Sequence, residues 1–494
     1  MSVLKKTYQI LSLAAGFVLL SVVLSACNLV VDGEYPDVSS DHATKYINLT
    51  LYVSSDGTAI TRSPLGGENG DGREAGYTRE NQVSGVTVIL YKGSGMTDPN
   101  ARVDFVRYFT VTEDNLEGRD VQGTTYNYDA AETYRSEARY TTGDQKVAEE
   151  ELDFNGIYHV LIVANQDVSG VCAKGTLISS IRDLTINNVY SVADADKAKP
   201  DQYQQFVMTS ERDATIDFGS MAPVQKPGVE NGLVYRVLQP MLIERMSARI
   251  DYYTNGATYD DAKGGYVYPV ENSSDIFVVT KVTPFNLYNE EEYLFKRVRT
   301  DWTSDGVISW LGDETTSNYV VDPNTANKDN SQLLSDSYLS PIAAAMSGDY
   351  GQAMNKTFSN GQLYQIANKD NIIIAYPKEN TLLPSSHLKK YATGIAFEVK
   401  YYVNGTGTPS TKVYYHYLRH QGESYGTYKA KLWSELDNLE SISSHDPVIP
   451  MCFGIVRNNI YRVSIESMNQ VEGTLKIKIE EEKWRHVDNP AIYI

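Results

Sequence analysis

Cys27 is the residue whose chemistry the surrounding sequence defines best. It directly follows Leu24-Ser25-Ala26, which end an apolar run from Ile10 to Val23 with two lysines before it. A basic start, a short apolar stretch and small residues before a cleavage point are typical of a secretory signal rather than a membrane helix. A cysteine immediately after the small residues indicates a bacterial lipoprotein signal. An ordinary signal peptide that happens to precede a cysteine is the alternative.

Lipidation determines where such a chain resides. We expect residues 1–26 to be removed as the signal peptide and Cys27 to carry acyl chains, palmitate among them, in an envelope membrane. Two or three chains hold a protein far more firmly than one, because each buried methylene contributes ~0.8 kcal/mol. Sequence alone therefore predicts a surface protein anchored through one residue.

Three further groups of residues could in principle do chemistry. His416 and His420 are four apart, but the alternation around them predicts a strand, in which they would lie about 13 Å apart. Ser444-His445-Asp446 contains the residue types of a catalytic triad, yet a triad needs residues that converge in space. The oxygen-rich segment from Asp322 to Asp329 lacks the glycine and final glutamate of a calcium loop. No pair of carboxylates can be assigned as acid and base, so we expect no enzyme, no metal site and no cofactor.

Overall composition narrows the class of partner. The chain has 494 residues, which suggests two domains, and a net charge of −19, which argues against nucleic acid as a partner. Cys172 and Cys452 could form a disulfide in an exported protein, but two lone cysteines far apart in sequence are more often unpaired. Four tryptophans could stack on sugar rings or pack in a core, and packing is favoured: Trp302, Trp310, Trp433 and Trp484.

Alternation of apolar and polar residues dominates the chain and predicts an all-β protein. It is clear in Ile47, Leu49, Leu51 and Val53 near the start, and in Leu475, Ile477 and Ile479 near the end. Such alternation is typical of strands that cover a core with one face. The stretch 157–164 is apolar on nearly both faces and predicts a central strand. Helical periodicity is weak and confined to short segments near 193–206, 332–346 and 428–439.

Several short motifs follow one another along the chain. They are the lipobox, 46–53 with Thr61-Arg62-Ser63, 158–165, Phe206-Val-Met-Thr-Ser210, Glu244-Arg-Met-Ser-Ala-Arg-Ile250, Glu379-Asn-Thr381, 392–401 and Val456-Arg-Asn-Asn-Ile-Tyr461. In this order they resemble the fimbrillin (type V pilin) family of Bacteroidales, and more closely its minor-fimbria major-subunit branch. The resemblance covers nearly the whole chain, and Val456-Arg-Asn-Asn-Ile-Tyr461 is its most specific part. The loops around Gly66 and Asp322 match no motif of the family.

The resemblance implies a fold and a division of the chain. The fold would be two tandem β-sandwich (transthyretin-like) domains with a few short helices. Residues 27–62 would form a propeptide with a tether and a removable first strand. Residues 63–235 would form the N-terminal sandwich, and residues 236–494 the C-terminal one, which ends in a donor strand at 470–494.

The resemblance also implies that the lipid-anchored precursor reaches the outer membrane, and it implies a mechanism of assembly. A trypsin-like maturation protease would cut after Arg62, with Arg73 and Arg79 as alternatives in the same exposed region. The removable strand, with Ile47, Leu49, Leu51 and Val53, would then leave an apolar groove. A donor strand from another copy, with Leu475, Ile477 and Ile479, would fill that groove. Repetition, together with accessory fimbrial subunits, would build an extracellular fimbrium that supports adhesion to a host or bacterial surface ligand as yet unidentified.

Two other interpretations stay open at this stage. Residues 47–53 and 475–479 could simply be the first and last strands of a finished monomer. In that case a monomeric surface lipoprotein that binds glycans is the alternative function, and the tryptophans and numerous tyrosines are compatible with it.

Overall fold

The structure is a computed structural model of the chain and describes its residues in twenty ranges. These are 43–53, 73–74, 78–95, 98–113, 126–128, 132–134, 138–194, 202–210, 214–254, 256–288, 290–299, 308–310, 319–325, 356–357, 364–366, 369–382, 392–418, 428–432, 454–469 and 474–484. Strands dominate them, which confirms the all-β prediction. Within these ranges no helix is long and apolar enough to cross a membrane. Cys27, Arg62 and Cys452 lie outside the described residues.

The first half of the chain forms fifteen described strands and two short helices, α1 (Thr78–Asn81) and α2 (Ile178–Arg182). The strands are β1 Thr44–Val53, β2 Arg73–Glu74, β3 Gly85–Lys92, β4 Arg102–Thr110, β5 Thr112–Glu113, β6 Tyr126–Tyr128, β7 Glu132–Tyr134, β8 Ala138–Thr141, β9 Gln145–Lys146, β10 Ile157–Ala164, β11 Thr185–Ile186, β12 Met208–Ser210, β13 Ala214–Asp217, β14 Val224–Gln225 and β15 Gly232–Arg245. A short 3-10 helix, Phe218–Ser220, follows β13.

The second half contributes the remaining described strands. They are β16 Arg249–Tyr253, β17 Thr258–Asp260, β18 Gly265–Pro269, β19 Ile276–Phe285, β20 Glu292–Tyr293, β21 Arg297–Arg299, β22 Ile308–Trp310, β23 Tyr319–Val320, β24 Lys356–Thr357, β25 Tyr364–Ile366, β26 Lys369–Ala375, β27 Gly394–Tyr402, β28 Ser410–Tyr417, β29 Tyr428–Leu432, β30 Asn459–Asn469 and β31 Thr474–Trp484. A second 3-10 helix, Val403–Gly405, links β27 to the turn before β28. The helix expected near 428–439 is wrong where it is described, because Tyr428–Leu432 is a strand.

Two large sheets organise these strands. The first has the order β4-β3-β10-β12-β15-β1-β8-β5, with β13 beside β10, β14 beside β15 and β9 beside β1. The second has the order β17-β18-β19-β27-β28-β29-β31-β30-β16-β26-β25, with β2 beside β31 and β24 beside β19. Small sheets β11-β20, β22-β21-β23 and β6-β7 complete the described pairing.

Strand β15 is the last strand of the first large sheet along the chain. Its start pairs with β1 and β14, and its end, up to Arg245, pairs with β12 in the same sheet. The expected boundary between residues 235 and 236 therefore falls inside β15. The second sheet begins with β16, after the short connection 246–248.

Each large sheet covers its own apolar core. Core 1 collects side chains from both halves of the first sheet, as expected of a sandwich, and includes Ile47, Leu49, Leu51, Val86, Val88, Leu90, Phe105, Val160, Ile162, Val237 and Ile243. Core 2 lies within the second sheet and includes Ile250, Tyr252, Phe277, Val279, Phe397, Val399, Tyr461, Val463 and Ile465. The C-terminal half also reaches core 1 through Ile373, Tyr376 and Ile460, so the two halves pack against each other.

Strand β10 is covered on both faces, as its nearly continuous apolar sequence predicts. Val160 and Ile162 point into core 1, while Leu161 and Val163 pack in a cluster on the other side of the sheet. That cluster includes Cys172, whose thiol is buried and free. Burial in apolar surroundings raises the pKa of this thiol to about 12, so it stays protonated.

Candidate functional site: the first strand and its groove

Strand β1 buries one apolar face completely. Ile47, Leu49 and Leu51 are 0%, 1% and 0% exposed and belong to core 1. The alternation seen in the sequence therefore corresponds to an inward face, as predicted. Val53 continues the strand, and its backbone pairs with Ala138.

Both edges of β1 are paired. On one side it runs parallel to β15, from Thr44 opposite Gly232 to Leu49 opposite Val237, with a bulge before Leu51. On the other side it runs antiparallel to β8, with Thr50 opposite Thr141. It also pairs with β9. Strand β1 thus lies in a groove with two hydrogen-bonding walls and an apolar floor.

The outer wall of this groove holds the polar face of β1. We call residues 138–149, which contain β8, β9 and their turn, the clasp. Asn48 Nδ2 donates to Asp144 Oδ1 over 3.0 Å, and Asn48 Oδ1 accepts from Thr141 Oγ1 over 2.7 Å. The Leu49 amide donates to Thr142 Oγ1 at 3.0 Å. These bonds fix the register of β1 against the clasp.

Two ion pairs border the same wall. Lys45 Nζ lies 2.6 Å from a Glu149 carboxylate oxygen. Lys226, on the loop after β14, donates to Asp144 Oδ2 at 2.7 Å. Partial burial raises the pKa of Asp144, but the hydrogen bonds from Lys226 and Asn48 outweigh it, and the pKa is lowered overall. Asp144 is therefore a carboxylate at neutral pH and uses each oxygen for a different partner.

The predicted donor residues lie inside the second sheet of the same chain. Leu475, Ile477 and Ile479 are on β31, which pairs antiparallel with β30 along nearly its whole length. Strand β29 covers the other edge of β31 at 475–477. In this uncut chain the C-terminal strand is therefore already paired, and donation to another copy requires it to leave β30 and β29.

The alternative cleavage residues occupy different environments. Arg73 is on β2, whose backbone pairs in parallel with Lys483 of β31. Arg79 is on α1, and its side chain is only 15% exposed. It donates to Tyr376 Oη at 2.8 Å and lies 3.6 Å from Glu80. Arg79 is therefore a largely covered residue of a helix, not the exposed loop arginine that the sequence predicts.

A buried polar cluster sits where α1 meets the second sheet. Glu80 is fully buried and pairs with Arg249 of β16 at 3.0 Å, and Arg249 also pairs with Asp251 at 2.8 Å. Tyr376 donates a short hydrogen bond to Glu80. Burial raises the pKa of Glu80, but Arg249 and Arg79 more than offset it, so the pKa is lowered. The helix after the predicted cleavage loop is thus held by a buried ion pair.

A second buried cluster brings together three of the motifs that carry the family resemblance, 244–250, 379–381 and 456–461. Arg457 lies 2.8 Å from Glu379 and 3.4 Å from Glu292, and it donates to two backbone carbonyls of 293–294. Burial raises the pKa of Glu292 to about 8, since Arg457 is shared with Glu379. Asn458 accepts a hydrogen bond from the Arg245 side chain. Sequence reasoning singled out these segments by resemblance only and did not predict that they converge.

The other sequence candidates do not form reactive sites in the described ranges. His416 is buried on β28, and its expected partner His420 lies outside the described residues. Asp322 caps a turn by accepting from the Thr325 amide at 2.9 Å and also accepts from the Thr381 amide. Among the residues with described placement, no group of three or more potential metal ligands is found.

Comparison with known proteins finds similarity in solved structures. No protein-family model matches the sequence, and no curated protein matches it significantly. A Parabacteroides distasonis protein described as a "putative cell adhesion protein" has a TM-score of 0.41 at 13% identity, covering 90% of this chain and 100% of its own. The fimbrilin (fimA) of Porphyromonas gingivalis W83 has a TM-score of 0.39 at 11% identity, covering 90% and 99%. The C-terminally truncated tip fimbrial protein Mfa3 of Porphyromonas gingivalis has a TM-score of 0.34 at 9% identity, covering 88% and 100%.

Proposed function

We propose that the chain is a structural subunit of a cell-surface fimbria that assembles by strand exchange and supports adhesion. It is exported as a lipoprotein through Cys27, cut after Arg62 by a trypsin-like protease, and polymerised when the C-terminal strand of another copy replaces β1. The role is structural rather than catalytic. The observation that carries the proposal is that β1, the first described strand, fills an apolar groove with two paired walls.

The position of β1 in the chain makes it suitable as a removable strand. Only its C-terminal end is connected to the rest of the mature subunit, through the segment that contains Arg62. One cut in that segment breaks the covalent link without interrupting any of the described strands. The cut strand is then held by non-covalent contacts alone, and once it has diffused away it cannot easily return.

The free energy of filling the groove is sufficient to drive the replacement of β1 by another strand. Burying one Ile or Leu side chain contributes roughly 1.5–3 kcal/mol, so Ile47, Leu49 and Leu51 together contribute about 5–9 kcal/mol before any cost of association. An empty groove would also leave unpaired backbone groups along β15 and the clasp, which an added strand satisfies. An incoming strand with apolar residues at every second position restores both the apolar burial and the backbone hydrogen bonds.

The family resemblance supplies the cleavage residue, Arg62, and the surroundings of Arg79 argue against a cut there. Cutting after Arg79 would place a new charged terminus at Glu80, which is 0% exposed and ion-paired. Cutting before α1 leaves that contact intact. The buried Glu80–Arg249 pair thus favours a cut on the N-terminal side of α1.

The test follows the protein in the envelope of an expressing cell, on a denaturing gel of boiled and unboiled samples. We expect wild type to give a ladder of high-mass species in the unboiled sample only. Arg62→Ala should give an uncut lipidated precursor and no ladder, whereas Arg102→Ala, a matched change of an exposed arginine at the start of β4, should behave as wild type. Normal processing of Arg62→Ala would remove Arg62 from the mechanism. A single full-length lipidated band in wild type would contradict assembly and support the monomeric glycan-binding alternative.

A further inference from the structure

Asp144 is the acidic residue of the clasp that contacts the polar face of β1. Its Oδ1 accepts from Asn48, and its Oδ2 accepts from Lys226. When β1 leaves, Lys226 stays with the mature subunit, but Asn48 leaves with the propeptide. One oxygen of a carboxylate that is 19% exposed is then without its donor.

Glu149 loses a partner at the same moment. It pairs with Lys45, which also belongs to the departing segment. The outer wall of the empty groove therefore loses one cation and one amide donor, and one Asp144 oxygen faces the vacated strand position. A strand that enters this groove is favoured if it carries positive charge on the face that alternates with its apolar residues.

The C-terminal strand has that pattern. Its apolar residues Leu475, Ile477 and Ile479 alternate with Lys476 and Lys478. If it enters in the direction of β1, with its three apolar residues at the positions of Ile47, Leu49 and Leu51, then Lys476 takes the place of Asn48. An ammonium group then replaces an amide as the donor to Asp144, and hydrogen bonds between ions are stronger than those from neutral donors.

We propose that Asp144 selects the incoming strand and fixes its register by pairing with Lys476 of a second copy of this chain. This inference rests on the proposed function and adds to it the residue that recognises the donor.

Neighbouring registers of the incoming strand place less suitable residues both in the core and opposite Asp144. A shift of two residues in one direction places Glu481 at the buried position of Leu51, where an unpaired charge is costly. A shift in the other direction places Gly473 at the position of Ile47 and Thr474 opposite Asp144. Only the proposed register combines three apolar residues inside with a lysine at Asp144.

Lys478 provides an internal control. In the proposed register it takes the place of Thr50, which is 5% exposed, so its ammonium must extend past the clasp to reach water. We therefore expect Lys476, but not Lys478, to contribute to affinity, although both lie on the same face of one strand.

The test measures binding of a fluorescent peptide of residues 470–494 to full-chain protein processed by protease and freed of β1, by fluorescence anisotropy. Asp144→Asn should weaken binding about three- to tenfold, in the range of a partly exposed charged pair. The peptide with Lys476→Thr should lose a similar factor and the peptide with Lys478→Thr should lose none. Combining Asp144→Asn with Lys476→Thr should cost no more than either change alone.

A matched variant and a charge reversal complete the design. Asp153→Asn, at an exposed acid of the same domain, should leave binding unchanged. Asp144→Lys should reject the wild-type peptide and accept the peptide with Lys476→Glu. Equal binding of the wild-type peptide to Asp144→Asn and Asp153→Asn would overturn the inference without contradicting strand exchange. Binding of the Lys478→Glu peptide to Asp144→Lys, in place of the Lys476→Glu peptide, would do the same. Failure of the wild-type peptide to bind processed wild-type protein would overturn the proposed function itself.

Discussion

Weakening β1 should accelerate assembly, whereas an equal loss elsewhere in the same core should not. Leu49 on β1 and Leu90 on β3 are each 1% exposed and both belong to core 1. Replacing a buried leucine by alanine costs about 2–4 kcal/mol. We therefore expect Leu49→Ala and Leu90→Ala to lower the free energy of unfolding of the uncut precursor by similar amounts, measured by urea denaturation.

The two variants should differ after processing. Leu49 leaves with the propeptide, so Leu49→Ala weakens only the strand that must be displaced. At about 1.4 kcal/mol per tenfold, a loss of 2–4 kcal/mol shifts the equilibrium between bound and released β1 roughly 30- to 700-fold toward release. Leu90 stays in the mature subunit, so Leu90→Ala gives no such shift.

The assay is a time course of ladder formation after the maturation protease is added to purified precursor. We expect the ladder of Leu49→Ala to grow at least about tenfold faster than that of wild type, with Leu90→Ala near wild type. Cleavage rates are measured in parallel on boiled samples, so that faster cutting is not mistaken for faster release. Equal ladder rates in all three proteins, at equal cutting, would refute the claim that β1 must leave before a donor enters.

Two further predictions concern the buried polar clusters. Glu80→Gln should lower the free energy of unfolding by about 1.5–3 kcal/mol, because it removes one of the two carboxylates that pair with the buried Arg249. Asp153→Asn at an exposed pair should cost less than about 1 kcal/mol. Similar losses for the two variants in urea denaturation would contradict the account. Asp322 tests pH dependence, because burial raises its folded pKa to about 6 from the ordinary 3.8. Its contribution to stability is complete below about pH 4 and is lost as the pH rises through 6. Wild type should therefore lose stability relative to Asp322→Asn by at most about 1.4 kcal/mol per pH unit. Parallel stability curves of the two proteins from pH 4 to 7 would contradict this loss.

The strands were predictable from sequence where one face is apolar. Ile47, Leu49 and Leu51 alternate because every second side chain of a strand points to the same face, and all three are buried. Strand β10 was predictable as central because both faces are apolar, and the structure covers both. The segment at 428–432 was misread as helix because short segments with mixed residues do not distinguish the two periods.

The buried polar clusters and the boundary between the two sheets could not be predicted from alternation in the sequence. Glu80 and Arg249 are 169 residues apart, so no local pattern relates them. Arg457 and Glu379 belong to motifs that were noticed by resemblance, but their pairing depends on how the two halves pack. The predicted boundary at 235–236 lies inside β15, which continues as one strand through it, and the apolar pattern of the sequence does not change there.

The most direct test of strand exchange is to lock β1 in its groove. Thr50 and Thr141 face each other across the antiparallel pair of β1 and β8, at a separation suited to a disulfide. We expect the precursor with Thr50→Cys and Thr141→Cys to be cut by the protease but to give no ladder when oxidised, and to assemble once a reductant is added. A full ladder from the oxidised, cut protein would show that copies join while β1 is still in place, which would contradict the account.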